Sequence, residues 1–154
     1  MARRLFAQKI NPFEATHKDL LAYFYKQRRI KFDRPFQEYP IDIKRLEEIK
    51  YLKPIQIYIS IDEFIAYCRD EYHKCSVSGF VSWISSLDNH VRTETYCEAK
   101  VLFEMAKPGF KNELNDIIKK IEKYEAAWFP TFEVVKIENL RERLQEIKEI
   151  TFGV

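Results

Sequence analysis

Glycine is scarce in this chain, with only 3 among 154 residues. Because tight hairpin turns need residues that accept a positive φ, this scarcity disfavours a hairpin-rich all-β fold. No run of about 18 consecutive apolar residues occurs, so the sequence predicts no membrane-spanning helix. The first six residues carry two arginines without an apolar stretch after them, which predicts no secretory signal.

Cysteine is also rare, and Cys68, Cys75 and Cys97 form an odd set without the spacing of a disulfide framework. Such a set is typical of reduced thiols and predicts a cytoplasmic protein. His73 and His90 lie near these thiols in sequence, but the short paired-cysteine spacing of a zinc site is missing. We therefore predict no metal and no cofactor. Cys68 lies on the apolar stripe of a predicted helix, where a free cysteine packs as a small apolar residue. A Cys75→Ser substitution is expected to have little effect.

Catalytic motifs are missing as well. The sequence has no glycine-rich phosphate loop and no nucleophile elbow, both of which depend on closely spaced glycines. Carboxylate pairs such as Glu47–Glu48 and Asp62–Glu63 are common on solvated helices in a chain with 24 acidic residues. The sequence therefore predicts no catalytic residue and favours a non-enzymatic role, although missing motifs do not exclude an enzyme.

Apolar residues make up 46% of the chain and charged residues 32%, a composition that predicts a folded protein. The apolar spacing is mostly helical. We predict a mainly α fold, a compact multi-helix domain of six to seven helices with one to three short strands and a C-terminal helical hairpin. A single domain is predicted over 1–154, with an irregular basic arm over 1–15, a helical body over 16–107 and the hairpin over 110–150.

Local signals place several helix starts. Thr16 and Asp19 form a capping box that opens a helix to about Arg29. Asp42 is a predicted N-cap for a short helix to Tyr51, and Thr93 or Thr95 is expected to cap a later helix.

Two segments predict strands. Ile55, Ile57 and Ile59 alternate with more polar residues, which indicates a strand over 55–60, and residues 131–136 form either a short strand or a linker. Ser60 and Glu63 are then predicted to be the capping box of the following helix.

The predicted order over 42–91 is short helix, short strand, helix, turn and helix, which is the first part of a winged-helix order. We therefore predict a helix-turn-helix-like pair over 61–91. Its second helix is expected to present hydroxyls and base-reading side chains to DNA. These residues are Ser78, Ser82, Asn89 and Arg92. The alternative is a pair of ordinary core helices.

Charge is distributed unevenly. Residues 1–34 carry nine Lys or Arg against three Asp or Glu, a net charge of +6, whereas the rest of the chain carries −4. A basic end of this kind suits a polyanion, although lysine and arginine also simply solvate exposed helices. The predicted phosphate contacts are Arg3, Arg4, Lys26, Arg28, Arg29 and Lys31. Tyr23 is the preferred exposed aromatic for stacking on a base.

The leading functional hypothesis is a small non-enzymatic nucleic-acid-binding protein. The alternative is a helical adaptor or assembly subunit that binds a protein partner, or a second copy of itself, through the C-terminal hairpin. Both hairpin helices carry apolar residues in steps of three and four. The predicted interface residues are Phe110, Tyr124, Trp128, Phe129 and Phe132.

Overall fold

The computed structural model describes residues 11–34, 38–86, 91–125 and 130–153, and the side chains of all of these except 124–125 and 130–138. The described residues form seven α-helices, two short 3-10 helices and no strand, with 74% of the structure helical. The predicted mainly α class is confirmed, and the predicted strands are absent from these residues. The chain divides into two compact units, Met1–Val91 and Arg92–Val154. That they form one domain stays a prediction.

The first unit contains four helices: α1 (His17–Phe32), α2 (Ile41–Glu47), α3 (Pro54–Tyr67) and α4 (Val77–Ile84). A 3-10 helix, Tyr72–Lys74, lies between α3 and α4. Helix α1 packs against α2 and α3, and α4 packs against the same two helices. The core of this unit therefore lies among four short helices.

Helix α1 begins as the sequence predicts. The Thr16 hydroxyl accepts a hydrogen bond from the Asp19 amide at 3.2 Å, and the Asp19 carboxylate accepts one from the Thr16 amide at 3.0 Å. This confirms the capping box, with aspartate in the place usually taken by glutamate. The helix runs three residues beyond Arg29 to Phe32, and its C-cap is Asp33, whose φ of 48° is left-handed.

The predicted N-cap of α2 is wrong. The helix begins at Ile41, so Asp42 lies inside its first turn and is buried. The Asp42 carboxylate instead accepts a hydrogen bond from the Tyr25 hydroxyl of α1 at 2.5 Å. The same carboxylate oxygen also accepts from the Tyr39 amide at 3.4 Å, just before the helix begins, so Asp42 acts from inside the first turn and not from the N-cap position. The helix ends at Glu47, before the predicted Tyr51.

The strand predicted over 55–60 is part of α3. Pro54 occupies the first turn, where a helix tolerates proline because no amide donor is needed there. Ile55 is buried, and so is every residue from Ile57 to Ile61. A helix buried on most of its circumference has no polar face, so alternating isoleucines do not distinguish it from a strand. Ser60 is therefore mid-helix and fully buried, and the predicted capping box does not form.

The helix-turn-helix interpretation does not fit the connection between α3 and α4. That motif joins its helices with three or four residues, whereas residues 68–76 separate these two. The winged-helix order also fails, because its strand is helical. Arg69 adopts the left-handed conformation, with φ of 52°, just after the end of α3. Gly79 lies in the first turn of α4, close to the Lys74 carbonyl.

The second unit contains α5 (Glu94–Met105), a 3-10 helix (Pro108–Phe110), α6 (Lys111–Glu125) and α7 (Pro130–Phe152). Thr93 caps α5 by accepting from the Tyr96 amide at 3.2 Å, which settles the choice between Thr93 and Thr95. Residues 131–136 belong to α7, and Pro130 begins that helix.

Helices α6 and α7 contact each other, as the predicted hairpin requires, but both also pack against α5. The apolar positions at steps of three and four are therefore covered by a third helix as well. Arg143 of α7 joins the two hairpin helices by a bidentate contact to Glu113 of α6, at 2.5 and 2.8 Å. Because these groups are partly solvated, the pair fixes geometry more than it adds stability.

Candidate nucleic-acid interface

The predicted phosphate-binding residues of α1 do not share one face. A helix turns about 100° per residue, so Arg28 and Arg29 point in different directions. Lys26 and Arg29 are exposed. Lys31 is exposed too, but its ammonium donates a hydrogen bond to the Ile65 carbonyl of α3. Arg28 is only 4% exposed.

Arg28 is a structural residue, which corrects its assignment as a phosphate contact. It follows Leu20 and Phe24 at steps of four on the buried face of α1. Its guanidinium donates to the Cys75 carbonyl at 3.1 Å and lies 5.5 Å from the Phe24 ring centre and 5.2 Å from that of Tyr25. Burial lowers the pKa of this guanidinium below its ordinary value. A residue held in this way cannot reach a phosphate on the surface.

Three other cations do share an exposed face. Lys18, Lys26 and Arg29 lie within an arc of about 80° on α1 and span about 16 Å along its axis. All three are exposed, and so is Ala22, which lies between the two lysines. No carboxylate of the described residues forms an ion pair with any of them. We call these three cations the basic face.

Lys26 and Arg29 of the basic face were among the predicted phosphate contacts, and Lys18 was not. The helical spacing of Lys18, Ala22, Lys26 and Arg29 is the signal that could have identified it from sequence. Asp33, also exposed, is the acidic residue on this side of the helix end. The surface therefore keeps a positive excess even after Asp33 is counted.

The remaining predicted contacts are distributed elsewhere. Ser78 and Ser82 are exposed, one turn apart on α4. Arg92 belongs to the second unit, where its guanidinium lies 4.6 Å from the centre of the Tyr96 ring. Arg3, Arg4 and Asn89 lie outside the described residues.

Tyr23 is not the exposed stacking residue that the sequence predicted. Its ring stacks on Tyr58 at 4.4 Å, and its hydroxyl donates to the Asp62 carboxylate at 2.8 Å. Gln27 donates to the same hydroxyl at 2.7 Å. Burial and the Asp62 charge raise the pKa of Tyr23 above its ordinary value. Tyr23 therefore joins α1 to α3.

A different tyrosine lies beside cations at the surface. Tyr72 is 41% exposed, and the Arg34 guanidinium lies 3.9 Å from its ring centre. Phe32 approaches the same ring at 6.3 Å and 64°. Sequence reasoning missed this cluster because Arg34 and Tyr72 are far apart in the chain. No local pattern signals a contact between an α1 residue and the connection to α4.

Of the predicted protein interface, the structure describes the side chain of Phe110 alone. Phe110 is half-buried, and the Arg143 guanidinium lies 5.9 Å from its ring centre. Trp128 and Phe129, and the side chains of Tyr124 and Phe132, lie outside the described residues. The interface therefore stays a prediction.

Cys68 and Cys75 are the two free thiols of the first unit. Both are buried, and burial raises the pKa of Cys68 and raises that of Cys75 to about 12. Among the described residues, no group of three or more His, Cys, Asp or Glu could hold a metal ion. Because Cys75 is only 1% exposed, Cys75→Ser would place a hydroxyl in a buried site, and we expect it to destabilise the protein, in contrast to the effect expected from the sequence alone.

No family model, curated protein or solved structure matches this chain. Within the described residues, no helix is both long and apolar enough to cross a bilayer.

Proposed function

We propose that this protein binds nucleic acid through the basic face of α1, formed by Lys18, Lys26 and Arg29. The observation that carries this proposal is that the three cations are exposed on one side of one helix without a carboxylate partner among the described residues. Phosphates are the natural partners of such a surface because neutralising them releases condensed counterions.

The geometry of α1 suits a close approach of a phosphate backbone. Ala22 projects only a methyl group between Lys18 and Lys26, so a ligand can come near the helix at that point. The opposite side of α1, where Leu20, Phe24 and Arg28 are buried, packs against the rest of the unit. The helix therefore holds its basic face in a fixed orientation, which reduces the entropy lost when phosphates bind.

The test is the salt dependence of binding to a fluorescent oligonucleotide, measured by anisotropy. Replacing Lys18, Lys26 and Arg29 together with Gln removes three charges. If each contacts one phosphate, the slope of log affinity against log salt for duplex DNA should flatten by about 2.7, since each contact contributes about 0.9.

The matched control replaces three exposed lysines of α6 with Gln: Lys119, Lys120 and Lys123. This variant has the same net charge as the first but keeps the basic face. We expect its slope to stay close to that of the unmodified protein. Equal slopes for the two variants, or no binding by the unmodified protein at low salt, would contradict the proposal.

A further inference from the structure

Just beyond the C-terminal end of α1, a guanidinium lies over an aromatic ring. The Arg34 guanidinium lies over the Tyr72 ring at 3.9 Å, and Tyr72 keeps 41% of its surface exposed. Arg34 is exposed as well. We call these two residues the Arg34–Tyr72 pair. It presents a positive charge beside a partly exposed aromatic residue.

Neighbouring contacts hold this pair in place. The Phe32 ring meets the Tyr72 ring at 64° with the ring centres 6.3 Å apart, and the His73 ring meets it at 89° with the centres 6.1 Å apart. The Tyr72 carbonyl accepts from the Cys75 amide at 3.0 Å, and its amide donates to the Asp70 carbonyl at 3.1 Å. Lys31 ties the end of α1 to the Ile65 carbonyl. The ring is thus positioned by the backbone hydrogen bonds of Tyr72 and by its contacts with Phe32 and His73.

The pair is linked to the last cation of the basic face through Phe32. Arg29, the last cation of that face, lies one helical turn before Phe32, which contacts Tyr72. A strand whose phosphates contact the basic face can therefore bring its bases to the pair. Bases stack both on aromatic rings and on guanidinium planes, and this stacking is largely independent of sequence.

We propose that the Arg34–Tyr72 pair is a stacking site for an unpaired base, so that the ligand of the basic face is single-stranded nucleic acid. In a duplex the bases are already stacked and paired inside the helix, and their faces cannot reach Tyr72. This inference rests on the proposed function and specifies its ligand class.

The test compares three ligands: a short oligothymidylate, a backbone of the same length whose sugars carry no bases, and a duplex of that length. Stacking of one base is worth roughly 5- to 150-fold in affinity, so the oligothymidylate should bind tighter than the abasic strand by that factor. The oligothymidylate should also bind tighter than the duplex. This comparison uses the unmodified protein and needs no variant.

Three variants assign the effect to Tyr72. Tyr72→Leu should remove the advantage of the oligothymidylate over the abasic strand and leave the salt slope unchanged, because no charge is lost. Tyr72→Phe should retain the advantage, because the ring is kept. Tyr51→Leu, at a tyrosine that is 68% exposed elsewhere on the same unit, should have no effect. Thermal melts establish that each variant is folded.

The outcomes separate the two proposals. Equal affinities for the oligothymidylate and the abasic strand would overturn the stacking site and leave the basic face intact. An equal loss of affinity for both strands in Tyr72→Leu would show that Tyr72 acts only through the fold, which also overturns it. No binding of any ligand would overturn both proposals.

Discussion

Neighbouring arginines at the end of α1 have opposite roles. Arg28 is 4% exposed and donates to the Cys75 carbonyl, whereas Arg29 is exposed on the basic face. Sequence alone treats both as surface charges, because arginine is rarely buried. The buried stripe of Leu20 and Phe24 at steps of four carries the signal that the third position, Arg28, points inward.

Alanine substitution of the two arginines should therefore give different results. Arg28→Ala removes the donor to a buried carbonyl and the packing of a long side chain, so we expect a loss of about 1–3 kcal/mol in the free energy of unfolding. Arg29→Ala should change it by less than about 0.5 kcal/mol. Urea denaturation measures both. Equal losses in the two variants would show that Arg28 is not held as described.

Among the elements, α4 depends on a glycine at its first turn. A Cβ added to Gly79 would lie 2.8 Å from the Lys74 carbonyl oxygen, which is backbone and cannot move aside alone. The Gly79 amide also donates to the Ser76 hydroxyl at 2.9 Å, completing the N-cap of the helix. The close approach of the 3-10 helix to α4 is thus possible only without a side chain at this position.

We expect Gly79→Ala to destabilise the protein by about 1–3 kcal/mol, as overpacked positions do, even though alanine favours a helix by about 1 kcal/mol over glycine. Gly109→Ala is the matched control, because nothing lies within 4 Å of its added Cβ. That substitution should be neutral or slightly stabilising. Thermal unfolding distinguishes the two, and a stable Gly79→Ala variant would refute the close approach.

Helix α5 of the second unit carries a carboxylate that opposes folding at neutral pH. Burial, together with the like charge of Glu94, raises the pKa of Glu98 above its ordinary value. The folded state therefore binds this proton more tightly than the unfolded state does. The contribution of Glu98 is most favourable below its unfolded pKa and is lost as pH rises through the folded pKa.

Glu98→Gln should therefore raise the melting temperature at pH 7. The gain should shrink as pH falls from the raised folded pKa toward the ordinary glutamate pKa, near 4.5, and should be absent below that value, because the carboxyl is then neutral in both states. The control is Glu122→Gln, at an exposed position of α6, which should show no such gain at pH 7. A melting temperature for Glu98→Gln that is unchanged or lower at pH 7 would contradict this account.

For the whole molecule, the sequence predicted the fold class better than the elements and the site. Periodicity identified mostly helical packing, and caps at Thr16 and Thr93 are where the sequence places them. The strand predicted over 55–60 was wrong because alternating apolar residues do not distinguish a strand from a helix that is buried on most sides. The error at Arg28 and the omission of Tyr72 share one cause, since both depend on tertiary contacts between α1 and residues about 40 positions later.

The distribution of charge along the chain likewise does not reveal which side chains make tertiary contacts. Residues 1–34 carry the positive excess of the chain, but counting charges cannot tell which of them face solvent. In the described part of this segment, one arginine is buried and one lysine bonds a carbonyl. The surface available to a polyanion is therefore smaller than the charge count implies.

Because the three cysteines are buried, the reactivity of their thiols shows how often each unit opens. Cys68 and Cys75 belong to the first unit and Cys97 to the second, and none is more than 4% exposed. An alkylating reagent needs an accessible thiolate, so it modifies each thiol only while the surrounding helices are transiently open. The rate of modification at each cysteine thus measures how often its unit opens, with no added label.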